Sequence, residues 1–335
     1  MLTGRRDRPD ASTFAGSGKV EELREACVAH DAKVVVFDHD LTAAQIRNLE
    51  RAIAEAVPQV RVLDRTDLIL EIFAQRARSH EGKLQVELAR MEHLSTRLVR
   101  GWTHLERQRG GLSKTGGPGE KQIELDRRLI GERVKKLKER LAKVERTRAT
   151  QRAGRERAGL LRVALVGYTN AGKSTLFNRL TGAGAYVADQ LFATLDPTTR
   201  RLHLGPGLAA AVSDTVGFVR HLPHGLVAAF RATLEETVRA DVLLHVVDAS
   251  HPGREAQIAA VNAVLAEIGA EAIPQLVVWN KIDRVPGAQA GVRRDACGSI
   301  VEVLVSAATG AGMDLIRSAL AERAGAPRDG LTPAA

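Results

Sequence analysis

Cysteine is nearly absent from this 335-residue chain: Cys27 and Cys297 are the only two, far apart and outside any metal-ligand spacing. Both are therefore expected to be buried, inert thiols rather than ligands or nucleophiles. The ten histidines include no H-E-x-x-H pattern, which removes the usual signature of a zinc hydrolase. No apolar run approaches the roughly 18 residues that a membrane span needs. No apolar segment follows the charged residues 1–10 either, as a secretory signal would require. These absences predict a cytoplasmic protein without stable membrane insertion, and a monomer is the expected state.

Positive charge is abundant, and its placement says more than its total of +9. Residues 97–157 carry 19 Lys and Arg against 8 Asp and Glu, an excess of +11 that leaves −2 for the remainder. One basic segment in an otherwise near-neutral chain is the distribution of a polyanion-binding surface, with nucleic acid the first partner class and anionic membrane the second. A solvated helical face is the plainer reading of the same charges.

The hydrophobic pattern divides the chain into an N-terminal α/β subdomain (1–65), a basic helical hairpin (66–158), a second, doubly wound α/β domain (159–326) and a tail (327–335). In the first, Val20, Leu23 and Cys27 fall at helical spacing, Val34-Val35-Val36-Phe37 reads as a strand, Thr42 precedes a second amphipathic helix, and 60–63 reads as another strand. A continuous helix is expected over 67–99, with Leu84, Leu88, Met91, Leu94 and Leu98 in one stripe. A second follows over 120–157, where Ile123, Ile130, Val134, Leu137, Leu141 and Val144 recur at coiled-coil-like spacing. Two such stripes can cover each other in a long antiparallel hairpin. Between the helices lies 101–119, whose last ten residues hold five glycines, at 110, 111, 116, 117 and 119. A loop of this length is functional or disordered. If functional, Arg107, Arg109, Lys114 and, just beyond, Lys121 are its candidate RNA-phosphate contacts.

The last part alternates strands, expected at 161–166, 208–213, 242–248, 276–280 and 301–305, with helices, as a doubly wound α/β fold does. Its first strand runs into Gly167-Tyr168-Thr169-Asn170-Ala171-Gly172-Lys173-Ser174, with Thr175 next, which matches the phosphate-binding loop G-x-x-x-x-G-K-[ST]. Glycines there let backbone N–H groups turn onto phosphates at a helix N-terminus. Lys173 reaches the β- and γ-phosphates, and the Ser174 hydroxyl ligates Mg²⁺. Further along, Asp214-Thr215-Val216-Gly217 ends a strand, with Asp214 holding Mg²⁺ through water and the Gly217 N–H facing the γ-phosphate. Asn280-Lys281-Ile282-Asp283 ends another, where an Asp carboxylate accepts two hydrogen bonds from guanine N1 and N2 that adenine cannot offer. Ser306-Ala307-Ala308 closes a last strand and offers N–H to guanine O6, while Thr194 is placed to join the Mg²⁺ shell. Each later motif is weak alone; the ordered set specifies GTP.

Two positions qualify this expectation. Phe218 follows Gly217 where many GTPases place a water-orienting Gln, so slow hydrolysis without a partner is expected. Asn170 is typical of GTPases that recruit K⁺, which makes K⁺ a candidate second ion. A smaller cluster, Gly16-Ser17-Gly18-Lys19-Val20, lacks the leading glycine, the Ser/Thr and a preceding strand, and is read as a turn entering a helix rather than an ATP site.

The assembled motifs resemble the HflX family of translational GTPases over nearly the whole chain. The likeness is carried by 16–23, by Gly116-Gly117-Pro118-Gly119-Glu120-Lys121-Gln122-Ile123-Glu124, by the phosphate loop, by Phe192-Ala193-Thr194-Leu195-Asp196, and by Asp214-Thr215-Val216-Gly217-Phe218-Val219-Arg220-His221-Leu222-Pro223-His224. A hydrophobic residue at 218 is normal in that family. The resemblance adds Phe192, Ala193, Leu195 and Asp196 to the nucleotide-site candidates. It also implies binding to the large ribosomal subunit and its rRNA, a hairpin and glycine-rich loop directed towards the peptidyl transferase centre, and splitting of stalled or stressed ribosomes. An RNA-binding GTPase switch in ribosome assembly or RNA processing is the alternative.

Overall fold

Leu161-Arg162-Val163-Ala164-Leu165-Val166 is buried at all but one position, as a strand covered on both faces must be. In the computed structural model, which describes residues 1–5, 7–100, 118–157, 159–182, 192, 194–219 and 231–325, this segment is an inner strand of a seven-stranded sheet. The chain forms two units, 1–75 with 84–141, and 76–83 with 142–335.

The first unit begins with α1 (Ser17–Ala29), β1 (Val34–Val36), α2 (Ala43–Ala54) and β2 (Arg61–Leu63). β1 and β2 pair in parallel, and Val35 and Val62 turn inward onto Val20, Cys27, Leu49 and Ile53. The Gly16–Val20 cluster is the start of α1, as expected. Thr42 caps α2 reciprocally with Gln45, which satisfies two otherwise orphan backbone donors. Where one helix was expected over 67–99, the chain makes α3 (Arg65–Arg76) and α4 (His80–Arg100), broken at 77–79. The hydrophobic stripe does not show this break, because apolar spacing continues across it. α5 (Pro118–Arg157) follows and is tied to α4 by the ion pairs Arg133–Glu87 and Lys138–Glu92. Asp64 and Asp67 are bound by Arg97 at 2.5 and 2.8 Å, with His93 alongside. Burial opposes the charge on Asp67, yet His93 and Arg97 hold its carboxyl below the usual range. Since the Arg97 guanidinium already pairs with both carboxylates, this cluster is an ion-pair network.

The second unit contains β3 (Leu161–Val166), α6 (Lys173–Thr181), β4 (Thr198–Gly205), β5 (Leu208–Asp214), α7 (Arg231–Val238), β6 (Val242–Asp248), α8 (Arg254–Glu267), β7 (Gln275–Asn280), β8 (Gly291–Arg294), β9 (Ile300–Leu304) and α9 (Met313–Gly325). The sheet order is β4-β5-β3-β6-β7-β9-β8. The inner five strands are parallel, and β4 and β8 are antiparallel edges. All five expected strands are present. The two edges were not expected, since Thr198-Thr199-Arg200-Arg201 and Gly291-Val292-Arg293-Arg294 carry the polar residues that blunt sheet edges rather than an apolar run. Leu165, Leu176, Phe177, Val212, Leu244, Val278, Ile316 and Leu320 share one core. Parallel order brings the C-terminal ends of β3, β5, β6, β7 and β9 to one edge, where open α/β sheets bind ligands.

Of the two thiols, Cys27 is buried as expected but Cys297 is exposed. The tight turn between β8 and β9 overrides the usual burial of cysteine: the backbone N–H groups of Cys297 and Ser299 both donate to Asp295 Oδ1. Burial also pushes the Cys27 thiol above its ordinary value. Native protein with an aromatic disulfide reagent at neutral pH should therefore release one equivalent of thiolate quickly. The Cys297→Ser variant should release none until urea exposes Cys27.

Candidate nucleotide site

β3 ends at Val166 and α6 begins at Lys173, so residues 167–172 must turn back over the strand end within six residues. Gly167 adopts φ +148°, and a Cβ there would overlap the carbonyl of Val246 on β6. Gly172 adopts φ +94°, and its Cβ would overlap the Asn280 side-chain amide. Only glycine fits both places. Asn170 takes the left-handed φ of +61°, which Asn tolerates better than most residues.

The charged groups of this loop lie deep. Lys173 is buried, and its Nζ donates to the carbonyls of Gly167 (3.1 Å) and Tyr168 (2.9 Å). Burial pulls its pKa down to about 8, with Asp214 opposing the shift. Ser174 Oγ lies 2.6 Å from Thr194 Oγ1, which donates to Asp214 Oδ2 at 2.8 Å. Thr194 has one hydroxyl proton and spends it on Asp214, so Ser174 is the donor in the first contact. Burial pushes the Asp214 carboxyl up, against the Ser174 and Thr194 hydroxyls and the Lys173 ammonium. Asp214 Oδ1 and Thr169 Oγ1 are buried without hydrogen-bond partners among the described residues. Two hydroxyls and one carboxylate with an orphaned oxygen form a hard-oxygen donor set that suits Mg²⁺.

The strand-end segment after Asp214 is stitched onto the loop. Thr215 Oγ1 donates to the carbonyl of Leu165 at 2.5 Å. Phe218 N–H donates to Gly167 O (3.1 Å), and Thr169 N–H donates to Phe218 O (2.8 Å). Gly217 lies so close beneath the loop that a Cβ would come within 2.9 Å of Thr169 and 3.0 Å of Lys173 Nζ. Val216 is buried, and the Phe218 side chain is wholly buried, so it faces the protein rather than a water molecule.

On the other flank, Asn280 joins the base-side and phosphate-side segments. Its Nδ2 donates to Ala171 O at 2.9 Å, and its Oδ1 accepts from Ala307 N at 2.9 Å. Lys281 adopts φ +64° and donates to Asn170 O and Asp248 Oδ2, each at 2.7 Å. Ile282 is buried and donates its N–H to Val305 O. Asp283 is exposed, and its Oδ1 accepts a 2.5 Å bond from Ser306 Oγ.

The structure thus brings together the sequence candidates 167–174, Thr194, 214–218, 280–283 and 306–308. Thr175 sits in the first turn of α6. Phe192 and Leu195 are buried. Asp196 is placed otherwise: its carboxylate is taken up by Arg78 and Ser79. Ala193, Arg107, Arg109 and Lys114 lie outside the described residues, as does the Lys121 side chain.

Two contributors were missed. Asp248, at the end of β6, accepts from Lys281 and Ser250; burial works against its charge, yet these bonds hold its carboxyl below the usual range. Arg179, in the last turn of α6, donates to Ala307 O and Ala308 O at 3.1 and 2.7 Å. The acidic end of a buried strand was the available signal for Asp248. None existed for Arg179, which looks like an ordinary helix-surface residue.

Comparisons with known proteins agree with this geometry. Three family models match in order: GTP-binding GTPase N-terminal over 1–74, GTP-binding GTPase Middle Region over 76–155, and 50S ribosome-binding GTPase over 162–281. The GTPase HflX of Escherichia coli (strain K12) is 54% identical over 323 residues, 96% of this chain and 74% of that protein. The GTPase HflX of Magnetococcus marinus is 54% identical over 314 residues, 94% and 71% respectively. Among solved structures, the crystal structure of SsGBP and GDP complex is 23% identical with a TM-score of 0.50, covering 95% of this chain and 88% of that one, which bears on the fold alone.

Phosphate binding beside Lys173 should restore its proton. The folded, nucleotide-free lysine has its pKa depressed to about 8, so at pH 8.5 it is roughly three-quarters deprotonated. GDP binding at that pH, followed calorimetrically in two buffers of different ionisation enthalpy, should take up a large fraction of one proton, falling towards zero at pH 6.5. The same depression works against folding below pH 8, a cost relieved as pH rises from 8 towards the unfolded value near 10.5.

Proposed function

Belonging to the HflX family, the chain is a GTP-binding, GTP-hydrolysing enzyme, and we propose that it works on the large ribosomal subunit, using its GTP-bound state to split stalled or stressed ribosomes. What most supports the partner is the match of 162–281 to a 50S ribosome-binding GTPase model, together with the +11 excess in 97–157, which suits an rRNA backbone. The proposed contacts are Arg107, Arg109, Lys114 and Lys121 around the glycine-rich segment. Among the described residues no helix is long and apolar enough to cross a membrane.

In this reading, the guanine lies between the Asn280–Asp283 and Ser306–Ala308 segments, with Asp283 pairing to N1 and N2 and backbone N–H groups facing O6. The loop amides of 168–174 and Lys173 surround the phosphates. Lys173 exchanges its bonds to Gly167 O and Tyr168 O for phosphate oxygens. Ser174 and Thr194 directly, and Asp214 through water, would hold Mg²⁺, which would supply neutralisation of the phosphate charge. Gly217 offers its N–H to the γ-phosphate. Phe218 is pinned inward and orients no water, so intrinsic hydrolysis is slow and the ribosome accelerates it. Asn170, exposed and held by Lys281 through its carbonyl, is the proposed K⁺-linked position.

Two measurements test this. GTP turnover in K⁺ buffer should rise on the order of tenfold or more with ribosomes. A chain lacking 101–117 should lose that rise, and Na⁺ should lower the rate. Absence of any ribosome effect would instead favour the switch in ribosome assembly or RNA processing. Separately, Asp283→Asn should weaken GTP binding about a hundredfold or more, because one charged acceptor is replaced by an N–H donor that meets a guanine N–H, and the remaining bond loses its charge. Retained affinity would refute the guanine assignment.

A further inference from the structure

The break between α3 and α4 has an occupant. Asp196 Oδ2 accepts the backbone N–H groups of Arg78 (2.9 Å) and Ser79 (2.8 Å), and Asp196 Oδ1 accepts the Ser79 hydroxyl at 2.5 Å. Ser79 Oγ in turn accepts the N–H of Gly82 at 2.8 Å. The carboxylate and the serine together satisfy donors that a helix N-terminus leaves unpaired, and a negative charge is favoured there. The approach is so close that a Cβ on Gly82 would overlap Asp196 Oδ1 and come within 3.2 Å of Ser79 Oγ.

Two residues before Asp196 lies Thr194, bonded to Ser174 and Asp214. Leu195 between them is buried. Pro197 follows and restricts Asp196 to extended backbone. β4 then begins at Thr198, paired with Asp214. The segment is thus a short strap with one end on the proposed metal-binding hydroxyl and the other on the first turn of α4. It has little slack to absorb a movement of Thr194.

We propose that Asp196 is a positioning residue through which the first turn of α4 senses whether Thr194 is engaged at the phosphate site. The inference rests on the reading of Thr194 given above. With the γ-phosphate present, Thr194 is held, the strap is taut, and Asp196 caps α4. After hydrolysis the threonine is released, as ordered segments are when that contact is lost, and the cap loosens. α4 runs on to Arg100, the residue just before the glycine-rich segment 101–119, so the state of the nucleotide is written into the start of the helix that leads there.

Hydrogen exchange of the backbone amides of 78–83 in the full chain, with Mg²⁺ and either GDP or a non-hydrolysable GTP analogue, tests the strap. The analogue should slow exchange relative to GDP by about fivefold, the effect of one capping interaction. Ser79→Ala should abolish this difference while leaving affinity for both nucleotides within about twofold, and Ser79→Thr should restore it. Gly82→Ala raises helix propensity but displaces the carboxylate. It should also abolish the difference, which mere helix stability would not do. A nucleotide-dependent difference that survives in Ser79→Ala and Gly82→Ala overturns the proposal, as does its absence in the unmodified chain when fluorescence titration shows both nucleotides bound. If titration shows no GTP binding, the site reading itself fails. If Thr194→Ala keeps the exchange difference, the role of Thr194 fails and the strap with it.

Discussion

Everything in the nucleotide-binding unit depends on burying an ammonium and a carboxylate at the ends of parallel strands. Lys173 is 6% exposed and Asp214 1%, a placement that costs several kcal/mol per ion unless each is hydrogen-bonded or paired. The chain supplies only part of the compensation. Lys173 takes two carbonyls of its own loop, and Asp214 takes two hydroxyls in series and is left with one orphaned oxygen. A site of this kind is unfinished by design: it gains most from a ligand that carries negative charge to the lysine and from a cation that serves the carboxylate.

That electrostatic arrangement is useful only if the surrounding backbone cannot relax around it. Three separate ties prevent this. Phe218 pairs with both Gly167 and Thr169, Asn280 joins Ala171 to Ala307, and Lys281 joins Asn170 to Asp248. The loop is therefore held from both flanks before any nucleotide arrives. Such preorganisation reduces the ordering entropy that binding would otherwise cost. Glycine at 167, 172 and 217 is the steric condition for the ties, since a side chain at any of these positions would meet Val246, Asn280 or Thr169.

How much of this could be read in advance follows from where the information sits. Motif residues whose proposed ligand contacts need one side-chain chemistry, such as Lys173, Asp214 and Asp283, are legible because no other residue type does the work. The five inner strands are legible because burial on both faces demands apolar runs. Illegible features were those decided by tertiary context. The edge strands β4 and β8 are polar because they are edges, Cys297 is exposed because its turn is, and the break at 77–79 is hydrogen-bonded to a carboxylate more than a hundred residues away in sequence. Arg179 and Asp248 contribute through backbone and lysine contacts that leave no periodic trace.

The hydrophobic residue at 218 shows how these constraints trade against one another. A side chain that orients water must stay in the solvent-filled site, and its backbone must then tolerate the mobility of an exposed loop. Phe218 does the reverse: with its ring wholly buried and both backbone groups bonded to the phosphate loop, it fixes the position of Gly217 beneath Lys173 at the expense of a catalytic group. In the proposed reading, rigid nucleotide binding is thereby separated from hydrolysis. On the reading proposed above, that separation is what a ribosome-dependent enzyme needs, because a GTP-bound state that decays on its own before meeting its partner would do no mechanical work.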